Sequence, residues 1–465
     1  MPVTALSPFA AVRDDWLAML RDRLPEQVAR LSWDRDQIVA HQTRRLRALL
    51  AYAAAHSPFH ARRLAGITLD QVHASDLSRL PTMRRTEMMN ALDDVFTDRR
   101  LTCRVVEDAL AGAGREPAVP LGRYVALTSG GSSGQRGVFV LDRPGAAQFF
   151  GSLARPLAAR LAASGGAPPG GLPIAMVAAA APMHATGLAC VLTEGGGLPF
   201  RLISVPATLP IAEIVTRLEA INAPGLYGYP SVLAQLAAER RAGRLRLNPV
   251  VVTSTSETCT PELRRAITEG FGVPLVDTFG STEGLVGTSP PGEEMLTFAE
   301  DGCIVELVDA DGDPVPPGTP SAGVLVTNLE NRVQPLIRYR LDDRFEVVSH
   351  DGYLRARVRG RSDDTFHYGR VAVHPHVIRA VLVSAAGVLE YQVRQTEHGI
   401  AVDAVTSGPV PGLAGLLESA LAAAGLPAPR AEVRRVPQLY RDPASAKLRL
   451  FLPLCAERAT INSSW

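Results

Sequence analysis

The sequence predicts an α/β protein of two domains: a large multi-sheet N-terminal domain over residues 1–361 and a small α+β C-terminal domain over residues 362–465. Three observations predict it. Between about Arg123 and Thr278, short apolar runs alternate with helical stretches, the pattern of a substantially parallel sheet. From Cys303 to Val348 the pattern turns antiparallel, with hairpin-type turns at Asp309–Gly312 and Pro316–Gly318. Gly360-Arg361-Ser362-Asp363-Asp364, a glycine followed by polar and charged residues, then reads as a hinge before the last unit.

The elements follow in order. The first stretch, to about residue 100, reads as helical: an amphipathic segment from Arg44 to Ala55 leads into Ser57-Pro58-Phe59, then a charged segment around Leu80-Pro81-Thr82. Tyr124–Thr128 reads as a strand before a glycine-rich turn, and Ile174–Ala181 as a buried strand entered from the Gly/Pro-rich loop Ser164–Pro173. Ile211–Ile221 and Pro261–Glu269 read as helices, Val250–Ser254 and Leu275–Thr278 as further buried strands.

At 465 residues the chain is too long for one compact core. A formal charge of +1 gives no pull toward nucleic acid or an anionic membrane. Arg13, Asp14 and Asp15 interrupt any leader-like apolar run, and Ile174–Ala181 is too short to cross a bilayer, so a cytoplasmic protein is expected. Cys103, Cys190, Cys259, Cys303 and Cys455 lie far apart and read as free thiols. Of 48 basic residues one, Lys447, is lysine and the rest are arginine. Arginine replaces lysine where only charge matters, not where a compact ammonium must reach one point. Lys447 is therefore a candidate for chemistry.

Three segments carry further chemistry. Thr128-Ser129-Gly130-Gly131-Ser132-Ser133-Gly134-Gln135-Arg136-Gly137 offers glycines for close backbone approach and hydroxyls as donors, as a phosphate loop needs; a flexible connector has the same composition. It lacks the Gly-Lys-Ser/Thr ending of a P-loop. Asp277-Thr278-Phe279-Gly280-Ser281-Thr282-Glu283-Gly284 puts an aromatic, a hydroxyl and a carboxylate at a strand's C-terminal end, where α/β folds bind ligands and where Glu283 is suited to Mg²⁺. Arg338-Tyr339-Arg340-Leu341-Asp342-Asp343 ends on a carboxylate suited to a ribose diol, or to a surface ion pair.

In chain order these resemble the motifs of the acyl-adenylate-forming (ANL) superfamily. The matches are its glycine-rich phosphate loop, its aromatic-Gly-x-Thr-Glu, Tyr-Arg-x-x-Asp and Gly-Arg-x-Asp-Asp motifs, and its C-terminal lysine at Ser445-Ala446-Lys447-Leu448. Ser57-Pro58-Phe59, Leu80-Pro81-Thr82, Pro335–Tyr339 and Glu390-Tyr391-Gln392 are most similar to the phenylacetate–CoA ligase group. The resemblance implies the adenylate-forming fold with a mobile small domain, and ATP-dependent activation of an aromatic or similar acid followed by transfer to coenzyme A. It also implies site roles. Ser129, Ser132, Ser133 and Gly134 would serve the ATP phosphates, Phe279 and Gly280 the adenine, and Thr282 with Glu283 the α-phosphate and Mg²⁺. Asp343 and Arg361 would hold the ribose, Asp363 would be the pivot, and Lys447 the catalytic cation. His184, Ser256 and Glu257 would border the acid. A homodimer is compatible with this reading.

Departures from the motifs are Arg136 and Gly137 in the phosphate loop, Ala446 before the lysine, and Arg370 where relatives place a glycine, which here is Gly369. They leave the acceptor open. A second reading passes the activated acid, a carboxylate or a small inorganic acid such as nitrite, to an amine or another nucleophile. A third is a nucleotide binder without turnover, which the joint presence of Lys447, Glu283 and Asp343 argues against.

Overall fold

The computed structural model describes residues 8–114, 116–129, 137–361, 364–373, 375–385, 387–442 and 447–454. The chain divides into two compact units, one reaching Arg359 and the other running from Gly360.

A nine-stranded mixed sheet forms the floor of the larger unit. Its parallel half runs in the order Phe200–Pro206, Leu172–Ala178, Gly225–Gly228, Val251–Thr255, Leu275–Gly280. Beyond Leu275–Gly280 the pairing becomes antiparallel through Val286–Thr288, Leu296–Phe298 and Arg355–Arg361, with Asp343–Ser349 at the edge. Helices connect the parallel strands, and their ends are legible locally. Pro261–Phe271 starts with Thr260 Oγ1 accepting the Leu263 amide (3.3 Å) and ends at Gly272, φ +69°.

The sequence-read helix Ile211–Ile221 forms over those residues. The strand expected over Ile174–Ala181 instead spans Leu172–Ala178. Its apolar run continues, but the Ala179 amide leaves the ladder and donates to the Tyr229 phenol oxygen at 2.9 Å. The antiparallel half of the sheet was not anticipated at Val286–Thr288 and Leu296–Phe298, whose three residues each are too few to show a period.

Two smaller antiparallel arrangements complete this unit. Val125–Ser129 pairs with Gly137–Leu141, and Cys303–Val308, Gly323–Asn328 and Tyr339–Leu341 form a three-stranded sheet. The turn at Asp309 forms as expected: its Oδ1 accepts the amides of Asp311, Gly312 and Asp313. The helix Arg35–His56, capped by Asp34 and Gln37, is tied to the sheet by buried polar bonds. Gln42 Nε2 donates to the carbonyls of Glu300 and Cys303 (2.9 and 3.2 Å). Glu300 accepts from Arg35 and from the Leu354 amide, and faces His350. Next to it, fully buried Asp301 is held by Arg155 at 2.8 Å.

In the smaller unit the strands Arg430–Arg435, Gly399–Thr406, Val388–Thr396 and Phe451–Leu452 form one sheet. The helices Pro375–Ser384 and Leu413–Ala423 bury Ile378, Leu382, Leu413, Leu417 and Leu421 in a common core with Val393, Val402 and Phe451. Among the described residues no helix is long and apolar enough to cross a membrane.

Candidate active site

The motif that follows Leu275–Gly280 builds one wall of the site. Phe279 is half-buried, and its ring meets Phe345 edge-on at 5.2 Å and Phe298 at 6.4 Å. Asp343 lies two residues before Phe345 on the same strand, hence on the same strand face, at the corner where the chain passes from the three-stranded to the nine-stranded sheet. Fold topology thus brings together Phe279 and the start of the Asp343 strand, which are far apart in sequence.

Past Gly280 the chain turns tightly, with the Ser281 amide donating to the Leu285 carbonyl and the Gly284 amide to that of Ser281 (both 2.9 Å). Gly284 takes φ +108°, and a Cβ there would lie 2.2 Å from Asn328 Nδ2, so only glycine fits. That same Nδ2 donates to the Glu283 carbonyl at 3.1 Å. The turn presents Glu283 with its side chain only 5% exposed; Thr282 Oγ1 donates to Oε2 at 3.3 Å, and Arg85 stands 3.7 Å from Oε1. Neither contact uses the carboxylate's full accepting capacity. Among the described residues no cluster of three or more Asp, Glu, His or Cys forms a metal cage. A single carboxylate is nonetheless what Mg²⁺ takes when phosphates and water supply its other ligands.

Three segments that looked unrelated in sequence clamp the Tyr339 motif in place. Arg338 sits at φ +49° and binds Glu306 with two parallel bonds (Nε–Oε2 3.0 Å, Nη2–Oε1 2.9 Å), while its Nη1 donates to the Leu80 carbonyl at 2.7 Å. Met83 brackets Tyr339: its amide donates to the Arg338 carbonyl and its carbonyl accepts the Arg340 amide (both 2.9 Å). His60, fully buried, faces the Pro335 carbonyl through Nε2 at 2.9 Å and Arg63 through Nδ1 at 3.3 Å. Arg63 in turn donates to the carbonyls of Pro81 and Thr82. Burial holds the His60 imidazole down to about 4, and the Arg63 charge adds to this. A neutral ring with Nε2–H donating and Nδ1 accepting satisfies both neighbours.

Behind this wall lies a cavity of about 480 Å³, lined mainly by apolar side chains, with Ser256 and Gly280 in its lining. Ser256 adopts φ +66°, a strained value for a residue with a side chain, at the point where the cavity meets the motif. Glu257 instead accepts from the Ser231 hydroxyl (2.5 Å) and amide (3.3 Å) at the start of the helix Pro230–Arg241. His184 is the N-cap residue of the helix Ala185–Thr193. The cavity wall is made by that helix's Ala185, Thr186 and Ala189, which periodicity could have nominated as one face.

In the smaller unit Lys447 is exposed, and its carbonyl accepts the Asp442 amide at 3.0 Å. Gln392 Nε2 reaches both ends of the segment that carries it, donating to the carbonyls of Tyr440 (3.1 Å) and Arg449 (2.8 Å). Arg449 also contacts Asp364 at 3.3 Å. The shifted glycine has a local reason. Phe366–Tyr368 and Val371–Val373 form a hairpin whose two-residue turn is Gly369-Arg370, with Gly369 at φ +59° and Arg370 exposed.

Ser132, Ser133, Gly134, Arg136 and Asp363 lie outside the described residues. The Ser129 backbone pairs with Gly137, and Arg361 is the last residue of the strand Arg355–Arg361. The described cysteines carry no disulfide, and burial pushes the Cys190 and Cys259 thiols up to about 12. Sequence reading missed Arg85, and it named Arg338 and Gln392 within motifs without a role of their own, because their contacts depend on distant partners. It also missed the long helix Arg143–Ala163, which gives the cavity Phe149 and Leu153.

No protein-family model matches the chain. It is 25% identical over 392 residues, 78% of this chain and 80% of the relative, to a phenylacetate–coenzyme A ligase of Thermus thermophilus. It is 27% identical over 222 residues, 42% of this chain and 41% of the relative, to a benzoate–CoA ligase of Thauera aromatica. Its fold is similar to that of a 2-hydroxyisobutyryl-CoA ligase crystallised in the postadenylation state with a hydroxyacyl-AMP. That match has a TM-score of 0.64 and 19% identity, covering 90% of this chain and 89% of the other. The chain is thus similar in sequence to CoA ligases and in fold to an acyl-adenylate-forming one, and it carries residues that resemble the motifs of that superfamily.

Proposed function

We propose that this protein activates a carboxylic acid, aromatic or of similar apolar character, with ATP, forming the acyl-AMP and pyrophosphate, and then transfers the acyl group to coenzyme A. The observation that carries the reading is the meeting of the apolar cavity with the Phe279–Glu283 motif at Ser256 and Gly280. An acid lying in the cavity would present its carboxylate beside the residues suited to the nucleotide. The names of the curated relatives, both CoA ligases of aromatic acids, support the same acceptor and acid class.

The roles follow from the chemistry of each group. Phe279, wedged by Phe298 and Phe345, offers a fixed ring for base stacking. Asp343 accepts from the ribose, and Arg361 donates to it. Ser129, Ser132, Ser133 and Gly134 donate to phosphate. Thr282 and Glu283 serve the α-phosphate and Mg²⁺, whose charge would offset that of the phosphates. Lys447 donates a compact cation where charge builds on the phosphoryl group and the attacking carboxylate, stabilising the transition state more than the ground state. The small unit turns about Asp363 between the two half-reactions. A two-oxygen inorganic acid such as nitrite would leave a cavity of this size and apolarity empty.

The test is acid-dependent ATP–pyrophosphate exchange, followed by competition between coenzyme A and amine acceptors. Exchange with thioester formation is the expected result. AMP release at an unchanged rate without thioester would sink transfer to coenzyme A, and absence of exchange with every acid would sink adenylation.

A further inference from the structure

The shape of the cavity carries more than the presence of an acid site. Its floor is one face of the parallel sheet, read off at every second residue: Val276, Thr278 and Gly280 on one strand, Thr253 and Thr255 on the next, Ile174 and Met176 further across. From Val276 to Gly280 is four strand steps, or roughly 13 Å at ~3.3 Å per residue. The opposite wall is the helix Arg143–Ala163, which contributes residues from Phe149 to Arg160, roughly 16 Å at ~1.5 Å per residue. On both elements the lining extends well beyond the length of a single ring.

The ends are distinguishable. One is Ser256 and Gly280, at the motif. At the other, Pro290 and Pro291 line the cavity, and the neighbouring Gly292 amide donates to the Leu275 carbonyl, which fixes them at the start of that strand. Leu31, 38% exposed, belongs to the same lining, so the cavity reaches solvent away from its buried floor. Arg155, also in the wall, is committed to Asp301, whereas Arg160 on the same helix lines the cavity without an ion pair among the described residues. A dry cavity of about 150 Å³ already holds a benzene ring. At about 480 Å³ this one has room for far more than a single ring.

We infer that the acid is elongated, alkyl or aryl-alkyl, with an apolar tail that runs along the sheet face from Gly280 toward Pro290. This rests on the proposed adenylation and deepens it. Ala189, on the helix Ala185–Thr193, faces the cavity with a small side chain. Phenylalanine there would fill part of the space the tail needs.

Pyrophosphate exchange is measured with butanoate, octanoate, dodecanoate, phenylacetate, phenyloctanoate and dodecanedioate. Dodecanoate and phenyloctanoate should exceed phenylacetate in kcat/KM by at least tenfold. Ala189→Phe should lower the ratio of dodecanoate to butanoate at least tenfold, and Thr253→Leu should lower it in the same direction by less. Exchange with phenylacetate but with none of the longer acids overturns the inference and leaves adenylation standing; a preference for the diacid over dodecanoate supports an elongated acid and assigns its second carboxylate to Arg160. Calorimetric binding of dodecanoate reads the cavity even in a chain that turns nothing over. Binding weakened at least tenfold by Ala189→Phe supports the inference, and no binding overturns it.

Discussion

The nucleotide-side wall and the acid cavity adjoin at Ser256 and Gly280, yet they are built in opposite ways. The wall is held by specific polar bonds over long sequence distances: Arg338 to Glu306 and Leu80, Asn328 to Glu283, Arg63 to Pro81 and Thr82. The cavity has such bonds at its margin, Arg155 to Asp301 among them, but its lining is mainly apolar side chains from strand faces and helices. Polar geometry has few solutions, so each partner is specified. Apolar packing tolerates exchange at constant volume, so a cavity can change shape while its surroundings stay folded. Substitutions in the wall should therefore lower activity toward every acid alike, while those in the cavity should change which acid is preferred.

The largest effect is expected at Lys447. Replacement by alanine should slow adenylate formation by at least ~100-fold, the cost of removing a preorganised charge from a transition state. Transfer to coenzyme A from a supplied acyl-AMP should be spared. Lys447→Arg should fail as well, because a planar guanidinium does not present its charge at one point. Rapid-quench assays of the two half-reactions check this, and equal loss in both would contradict the separate roles. A changed acid preference in either variant would break the contrast drawn above.

Arg338→Ala comes next. It strands Glu306 without its partner and frees the Leu80 carbonyl, so a stability loss of about 3–5 kcal/mol is expected by denaturant unfolding. Whatever activity remains should show the parent's ranking of acids. A loss below about 1 kcal/mol would mean that the clamp on Tyr339 does not depend on this pair.

The pH dependence of stability probes the same wall. The His60 imidazole titrates near 6.5 when unfolded and is held down to about 4 when folded. Between those values the unfolded chain binds the extra proton, so stability rises with pH across that window. It is fully present above about 6.5 and lost as pH falls through about 4. His41, buried and also held down to about 4, acts in the same direction. Each contributes at most about 1.4 kcal/mol per pH unit inside the window. His60→Gln should flatten the slope of unfolding midpoint against pH between about 4 and 6.5 without abolishing it, because His41 remains.

How much of this was legible beforehand follows the same division. The parallel strands and their helices showed through their periods, and the motif loops showed because Phe279, Glu283 and Lys447 belong to residue types whose chemistry is restricted. The ladder's antiparallel half did not show, since Val286–Thr288 and Leu296–Phe298 are too short to carry a pattern. Nor did the cavity. Val276 and Thr278 read as any strand interior, and only the absence of a side chain opposite distinguishes a pocket wall from a core. His184 was singled out by the resemblance of its segment to the family's, whereas the wall uses Ala185, Thr186 and Ala189, which are unremarkable in sequence.

The smallest effect separates positioning from folding in the small unit. Gln392 donates to carbonyls on both sides of Lys447, at Tyr440 and Arg449, and so sets the span of the segment between them. Gln392→Ala removes two hydrogen bonds, each worth about 1 kcal/mol net. If the glutamine only supported the fold, the thermal midpoint would drop and both half-reactions would fall together at temperatures well below it. If it positions Lys447, adenylate formation should fall about tenfold in kcat, the equivalent of about 1.4 kcal/mol. The KM for the acid and the rate of transfer from supplied acyl-AMP should then stay within twofold. The ratio of the two half-reaction rates, measured at fixed temperature in the same preparation, decides between them. A ratio unmoved from the parent's would leave Lys447 held by its own loop alone.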